Sequence, residues 1–196
     1  MSKVKILEQN KCLLVRNLVP FDLCYYLTRV LLRKSEELDA RTGDGQISNC
    51  LSIMDHEIVF ETLQEQLWGR IEKVVGEELL PTYSYSRLYC NGNVLEKHKD
   101  RPSCEVSVTI QLGKSHDYYW PIYMEGKSYL LNEGDGVVYF GTEAEHWREK
   151  CDGPMGYFSG QVFLHYVRKN GKYAEFAGDS KVRTPPKFVK ERNLLY

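Results

Sequence analysis

The sequence lacks the features that mark several large classes of protein. It has no run that approaches the roughly 18 apolar residues of a membrane span, and its first residues, MSKVKILEQNKCLLV, hold no apolar signal-peptide segment. It also lacks an excess of charge of either sign, because 26 lysines and arginines stand against 27 aspartates and glutamates. We therefore expect a soluble, cytoplasmic protein with no membrane partner, and a nucleic-acid partner is disfavoured because it would need a basic surface.

Closely paired cysteines are absent as well. The six cysteines are Cys12, Cys24, Cys50, Cys90, Cys104 and Cys151. Because no two of them form a Cys-x-x-Cys pair, the sequence argues against a zinc knuckle and against a thioredoxin-like redox site. In a chain of 196 residues without a secretory signal, we expect reduced and mostly buried thiols.

The N-terminal part of the sequence contains two amphipathic segments. Apolar residues recur at helical spacing between positions 20 and 38, and Pro20 suits the first turn of a helix. A second helix is predicted from Asp55, as its N-cap, to about Leu79, with a polar loop before it. The predicted buried positions are Leu23, Tyr26, Leu27, Val30 and Leu31 in the first helix, and Ile58, Leu63, Leu67, Ile71 and Val74 in the second.

After Pro81 the sequence changes to short segments rich in β-branched and aromatic residues, which predict strands. These segments are 82–90, 105–112, 121–124, 127–131, 137–140 and 161–167. Helices followed by many short strands indicate an α+β fold, a barrel or sandwich buttressed by two N-terminal helices. We expect a single domain over residues 1–196, with a helical part to about residue 80, a β-barrel over about 81–170, and an extended basic tail over about 178–196.

One short pattern suggests metal chemistry. On a strand, residues two apart point to the same side, so His98 and Asp100 would present an imidazole nitrogen and a carboxylate side by side. A second histidine from another strand would complete the arrangement of two histidines and one carboxylate that holds one face of an octahedral iron ion. A His-x-Asp triplet alone is a weak signal, since a histidine paired with an aspartate at a strand end has the same pattern.

The order of motifs around this triplet is more specific. In chain order they are Tyr89-x-x-Gly92, His98-x-Asp100, a long strand, the glycine-rich turn 132–136, an apolar strand and His146. Over roughly residues 80–168, this order closely resembles the prolyl 4-hydroxylase-like branch of the Fe(II)/2-oxoglutarate-dependent dioxygenases. The resemblance implies a double-stranded β-helix, which is a jelly-roll or cupin-like barrel, and it implies that His98, Asp100 and His146 are the iron ligands and catalytic residues.

The resemblance also implies an activity. It implies an enzyme that uses Fe(II), 2-oxoglutarate as cosubstrate and O2 to hydroxylate a C–H bond, with succinate and CO2 as co-products; ascorbate is a further cofactor that it allows. The branch implies a peptidyl proline or another protein side chain as the target. A small-molecule substrate stays open, because fold and cofactor do not fix the substrate.

The sequence departs from the family pattern at one point. Family members place a lysine or arginine about ten residues after the distal histidine to bind the C5 carboxylate of 2-oxoglutarate, but residues 152–161 contain no cation. Two arginines are candidates for this role. Arg148 follows His146 by two positions, and Arg87 shares a strand face with Tyr89. The alternative is that both arginines form ion pairs with surface carboxylates.

The strand at 105–112 predicts a polar pocket wall. Ser107, Thr109 and Gln111 alternate with apolar residues, so one face is polar although its neighbours are typical of a core. Gln111 and Tyr89 stand where the family places pocket donors. The predicted 2-oxoglutarate-binding residues are therefore Tyr89, Gln111, Arg148, Arg87 and Thr109.

Two other interpretations keep the same scaffold. The missing cation supports a cupin-like module that binds a metal or ligand without turnover, whereas the balanced charge argues against a nucleic-acid demethylase. Loops 40–52 and 113–120 are candidate lids. The remaining histidines are predicted to have no ligand role: His56 faces solvent from the first turn of a helix, His116 falls in a loop, and His165 packs among aromatic residues on the last predicted strand.

Overall fold

The computed structural model describes residues 2–37, 42–47, 50, 52–55 and 57–179. Its helices are α1 (Lys3–Asn10), α2 (Phe21–Ser35) and α3 (Ile58–Val75), with short 3-10 turns at Pro102–Cys104 and Ala174–Phe176. Its strands are β1 (Cys12–Val15), β2 (Ser52–Asp55), β3 (Leu79–Cys90), β4 (Leu95–His98), β5 (Val106–Lys114), β6 (Ile122–Met124), β7 (Lys127–Tyr129), β8 (Gly136–Tyr139), β9 (His146–Arg148) and β10 (Phe158–Arg168).

The strands form two antiparallel sheets. The large sheet has the order β1-β8-β5-β10-β3-β2, and the small sheet has the order β4-β9-β6-β7. Within the described part of the chain no strand pairs across the two sheets, so the barrel is not closed by hydrogen bonds. This jelly-roll arrangement is a double-stranded β-helix, which confirms the predicted fold class.

Both predicted helices form against the large sheet, and α1 is an addition that the sequence pattern did not predict. Helix α2 packs on β5 and α3 packs on β3. The contact between α2 and β5 is tight at Gly113, where a Cβ atom would lie 2.5 Å from Thr28 Oγ1. Glycine is therefore required at this position so that the helix can approach the sheet.

The boundaries of α3 correct three predictions. Asp55 is not its N-cap, because Asp55 pairs with Tyr85 as part of β2. The helix ends before Gly76, whose φ of 83° gives the left-handed cap that glycine favours. Ile58 is 79% exposed, since it lies about 200° around the helix from the buried Phe60 at ~100° per residue.

Helix α2 corrects one further prediction, because Tyr26 is 57% exposed whereas Leu27 and Leu31 are buried. The buried stripe of α2 runs through Cys24, Leu27, Thr28 and Leu31, and Tyr26 lies beside it. A stripe of this width leaves an aromatic ring at its border in solvent.

The N-terminal part of the chain also contributes to the β-structure. Strands β1 and β2 form the two edges of the large sheet, with Cys12 opposite Tyr139 and Ser52 opposite Leu88. No helix among the described residues is long and apolar enough to cross a membrane. The extent of a single domain stays a prediction, and most of the predicted basic tail lies outside the described residues.

Candidate metal and cosubstrate site

A tight turn after β3 positions the first two predicted ligands. Gly92 adopts a φ of 86°, and the side-chain oxygen of Asn93 accepts a hydrogen bond from the backbone N–H of Cys90 at 2.8 Å. The chain then reverses into β4, which pairs with β9. This pairing places His98 directly opposite His146.

The structure brings the three predicted iron ligands together. The Nε2 atom of His98 lies 3.7 Å from Asp100 Oδ1, and the Nε2 atom of His146 lies 3.5 Å from the same oxygen. Adjacent ligands of an octahedral ion lie about 3.0 Å apart when each bond is about 2.1 Å long. Only a small inward movement therefore separates the three side chains from a ligating geometry.

The second nitrogen of each imidazole is held by the backbone. The Nδ1 atom of His98 lies 2.7 Å from the carbonyl oxygen of Glu96, and Nδ1 of His146 lies 3.0 Å from that of Ala144. When Nδ1 donates to a carbonyl oxygen, the Nε2 lone pair is available for a metal. Two imidazoles and one carboxylate form a donor set that suits Fe(II).

Asp100 is fixed from both sides. Its Oδ2 atom accepts a hydrogen bond from Ser107 Oγ at 3.2 Å, and its backbone N–H donates to the carbonyl of Gly141 at 2.8 Å. Burial opposes ionisation of Asp100, but the hydrogen bond and charge of His146 outweigh burial and hold the pKa of Asp100 below its ordinary value. Burial together with the neighbouring His146 lowers the pKa of His98, which favours the neutral imidazole that a metal requires.

A cavity of about 530 Å³ opens beside the triad. Aromatic side chains of β3 and β10, including Tyr85 and Phe163, form one wall, and Leu95 and Ile122 of the small sheet form another. A volume of this size suits a small molecule or one side chain of a larger substrate. None of residues 113–120 lines this cavity.

Arg87 lines this cavity and is paired internally. Its guanidinium donates to the carboxylate of Asp44, to Gln46 Oε1 at 2.7 Å and to the hydroxyl of Tyr89 at 3.1 Å. Asp44 and Gln46 belong to the predicted lid 40–52, of which residues 42–47 and 50 are described. Sequence reasoning missed both residues, since only the path of this loop brings them to β3.

Arg148 lies on the same strand as His146 and is only 2% exposed. Its Nη1 atom donates to the carbonyl of Trp120 at 2.6 Å, and its guanidinium carbon lies 4.7 Å from the ring centre of Trp120 and 5.9 Å from that of Tyr89. Its Nε and Nη2 atoms are buried and have no hydrogen-bond partner in the described part of the chain. Burial lowers the pKa of Arg148, and a buried guanidinium without an anion is costly unless a ligand supplies one.

Thr109 and Gln111 belong to a buried polar network between β5 and β10. Thr109 Oγ1 lies 3.3 Å from Gln161 Oε1, Gln161 donates to the side-chain oxygen of Gln111, and Ser159 Oγ donates to the same oxygen at 3.2 Å. None of these four residues lines the cavity beside the triad. The alternation of polar residues along β10 was the signal that could have revealed Ser159 and Gln161.

Two of the other three histidines lie in the described residues. His116 is exposed in its loop. His165 is buried and lines the cavity, with Nδ1 2.8 Å from Ser107 Oγ, and burial lowers the pKa of His165 to about 4. His56 lies outside the described residues.

By fold, the chain resembles the 2-oxoglutarate–Fe(II) oxygenases of known structure. No protein-family model and no curated protein matches the sequence. Among solved structures, a prolyl-4-hydroxylase from Pseudomonas putida is 17% identical, with 86% of this chain and 97% of that chain covered and a TM-score of 0.64.

Two further structures show the same likeness. HygX from Streptomyces hygroscopicus, with nickel and 2-oxoglutarate bound, is 12% identical, with 86% and 87% of the two chains covered and a TM-score of 0.66. A prolyl hydroxylase from Trichoplax adhaerens, in complex with a peptide fragment of the hypoxia inducible factor oxygen degradation domain, is 11% identical, with 85% and 87% covered and a TM-score of 0.64. At these identities the likeness concerns the fold.

Proposed function

We propose that this protein is an Fe(II)- and 2-oxoglutarate-dependent dioxygenase that hydroxylates a C–H bond and releases succinate and CO2. The observation that carries the proposal is the convergence of His98, Asp100 and His146 beside a cavity of about 530 Å³. The similar structure of HygX has nickel and 2-oxoglutarate bound, which supports the same kind of cofactor here.

The three side chains would hold Fe(II) and leave coordination positions free. Bound iron, together with 2-oxoglutarate and O2, would supply the oxidising chemistry. The chain's own contribution is to fix the ligands: carbonyl oxygens of the backbone orient both imidazoles, and Ser107 orients the carboxylate of Asp100. The rigid support keeps the ligand set arranged before the metal binds.

Arg148 is the proposed anchor for the C5 carboxylate of 2-oxoglutarate. Its Nε and Nη2 atoms lack partners in the described region, and they form one edge of the guanidinium, which can bind a carboxylate through two parallel hydrogen bonds. Arg87 lines the cavity beside the triad and Arg148 does not, but Arg87 is less suited to this role because its charge already faces Asp44. Tyr89 lies beside both arginines, and contacts of Gln111 and Thr109 with the cosubstrate stay predictions.

Apolar and aromatic side chains would limit water around the reacting centre. The ring of Tyr139 lies 4.9 Å from that of His146 and is buried, and the rings of Tyr85 and Phe163 lie 6.2 Å apart on the cavity wall. The packing of Tyr139 holds the imidazole of His146 in place, and exclusion of water by these rings would strengthen electrostatic interactions inside the site.

A small molecule or a protein side chain is the proposed target, with a peptidyl proline as the narrower proposal. Two similar structures support one possibility each, since HygX is also known with hygromycin B bound and the Trichoplax hydroxylase with a peptide. A cavity volume of about 530 Å³ suits either a small molecule or one side chain of a larger substrate.

Two measurements test the proposal. Under nitrogen, Fe(II) and 2-oxoglutarate together should give a visible charge-transfer absorption that His98→Ala lacks. In air, succinate release should be stimulated by a member of a panel of peptides, amino acids and oligonucleotides. Absence of both signals would refute the enzyme and favour a module that binds without turnover, whereas stimulation by methylated oligonucleotides alone would favour the demethylase.

A further inference from the structure

We propose that Asp100, Cys104 and His165 form a second metal site for a divalent ion that prefers thiolate ligands. Zn²⁺ is the ion that this site suits best. One ligand atom from each of these side chains lies within 4.8 Å of the others. The set shares Asp100 with the triad, but its thiol and its imidazole belong to residues that the proposed reaction does not use.

The donor types favour zinc. A thiolate, an imidazole and a carboxylate are the three kinds of ligand that zinc sites use, and three protein ligands leave a fourth position for water. Ligands about 2.1–2.3 Å from a tetrahedral ion lie about 3.6 Å from one another. Since the ligand atoms lie within 4.8 Å of one another, a contraction of about 1.2 Å at most would close the set around an ion.

The fold presents both new ligands to the cavity. Cys104 ends the short 3-10 turn after Asp100, and His165 projects from β10. Both side chains line the 530 Å³ cavity, which gives an ion access to them.

Neighbouring side chains already orient the set. The hydroxyl of Tyr83 lies 3.0 Å from Cys104 Sγ, and the ring of Tyr83 lies 4.6 Å from that of His165. Ser107 Oγ contacts His165 Nδ1 at 2.8 Å and Asp100 Oδ2 at 3.2 Å. Such contacts outside the ligand set are typical of groups arranged to bind a metal.

The shared carboxylate couples the two sites. An ion held by Asp100, Cys104 and His165 draws the carboxylate away from His98 and His146, so that zinc opposes iron binding without occupying the triad. This consequence rests on the proposed function, whereas the second site itself does not.

Cobalt provides the test, because Co²⁺ bound by a cysteine has an intense thiolate-to-metal absorption in the near ultraviolet that histidine and carboxylate ligands do not produce. The wild-type protein titrated with Co²⁺ should develop this band. Cys104→Ser and His165→Gln should lose it, whereas Cys151→Ser, which removes a buried cysteine outside the set, should retain it.

A second variant separates the two sites. The double variant His98→Ala/His146→Ala should keep the cobalt–thiolate band, because the second set does not include either histidine. Circular dichroism and thermal melts would verify that each variant is folded. Absence of the band in the folded wild-type protein, or its persistence in Cys104→Ser, would overturn the proposal whether or not succinate is ever released.

Competition tests the coupling. Zn²⁺ should abolish the cobalt–thiolate band of the wild-type protein. The Zn²⁺ concentration that halves Fe(II) binding, measured under nitrogen by equilibrium dialysis, should be at least tenfold higher for Cys104→Ser than for Cys151→Ser. Equal concentrations for the two variants would refute the coupling through Asp100.

Discussion

Replacing Arg148 with methionine should stabilise the protein without its ligands and abolish binding of 2-oxoglutarate. Methionine keeps much of the length of the side chain and removes its charge. In the structure the guanidinium is almost fully buried, with one hydrogen bond to the carbonyl of Trp120 and two donor atoms, Nε and Nη2, that have no partner among the described residues.

The expected change in the free energy of unfolding follows from these contacts of Arg148. Each unpartnered buried donor costs about 1–3 kcal/mol. The bond to the Trp120 carbonyl returns about 1.5–3 kcal/mol, and the contact with the Trp120 ring returns up to about 2 kcal/mol. Replacement of buried charges by apolar side chains of similar volume is often neutral or stabilising by about 1–4 kcal/mol. We therefore expect the free energy of unfolding of Arg148→Met to rise by about 1 kcal/mol.

Urea denaturation of the metal-free protein measures the difference in free energy of unfolding between Arg148→Met and the wild type. A second series under nitrogen with Fe(II) measures the effect of 2-oxoglutarate, which should stabilise the wild-type protein by about 2.7 kcal/mol at a concentration of a hundred times its Kd. Arg148→Met should gain at most about 0.4 kcal/mol at that concentration, because loss of one partner of a buried charge pair costs about 3–5 kcal/mol, or at least about a hundredfold in affinity.

The control is Arg33→Met, which removes an arginine whose side chain is 84% exposed on α2. It should change neither the free energy of unfolding nor the stabilisation by 2-oxoglutarate. Arg148→Lys should bind 2-oxoglutarate with intermediate affinity, since it keeps the charge and loses the paired hydrogen bonds. An Arg148→Met protein that is destabilised by several kcal/mol and still binds 2-oxoglutarate normally would show that this guanidinium is structural and that the cosubstrate anchor lies elsewhere.

Three further substitutions test other parts of the structure. Gly141→Ala should weaken Fe(II) binding at least tenfold in equilibrium dialysis, because a Cβ atom would clash with the backbone carbonyl of Cys104 and lie 2.5 Å from Asp100 Oδ2, so that the ligand and the turn beside it must shift; unchanged affinity would contradict the tight contact. Asp44→Asn should lower the free energy of unfolding by about 1–3 kcal/mol at neutral pH because it breaks the ion pair with Arg87. Burial opposes ionisation of Asp44, but its hydrogen bonds to a tyrosine and Arg87 hold its pKa at about 2, below the ordinary 3.8. The stabilisation by Asp44 is therefore present above about pH 4 and lost as the pH falls through about 2, and a difference between variant and wild type that stayed constant over that interval in urea melts would refute it. Leu31→Ala, at a fully buried position, should cost about 2–5 kcal/mol with unchanged Fe(II) affinity, and a loss below about 1 kcal/mol would contradict its place in the core.

The sequence predicted the fold best where burial repeats along the chain. Strands β3, β5 and β10 are long and rich in apolar and β-branched residues, so their pattern is clear without knowledge of their neighbours. Helix α1 and strands β1 and β2 are short. The two strands are stabilised by pairing with the distant strands β8 and β3, and α1 by packing on β1 and α3. Such long-range contacts leave little trace in local sequence.

The candidate site was predictable to a similar degree. The His-x-Asp pattern singled out His98 and Asp100, and the resemblance supplied His146. Strand alternation does not account for the position of Asp100, however, because β4 ends at His98. The ion pair between Arg87 and Asp44 was not predictable, because it joins a loop to a strand more than 40 positions away. Likewise, the partners of Gln111 depend on the register of β5 against β10.

Strand β10 has a consequence for how the protein is made. It is the last strand among the described residues, yet it lies between β3 and β5 in the large sheet, and its Arg168 pairs with Leu79. Until this strand emerges from the ribosome, the large sheet exists only as two separate parts, β1-β8-β5 and β3-β2, each with an unpaired edge. Such edges can associate with other chains, and closing such long-range pairs is slow. The large sheet therefore cannot form until residues 158–168 have been made, and a chain that stops before residue 158 would leave both edges open to aggregation.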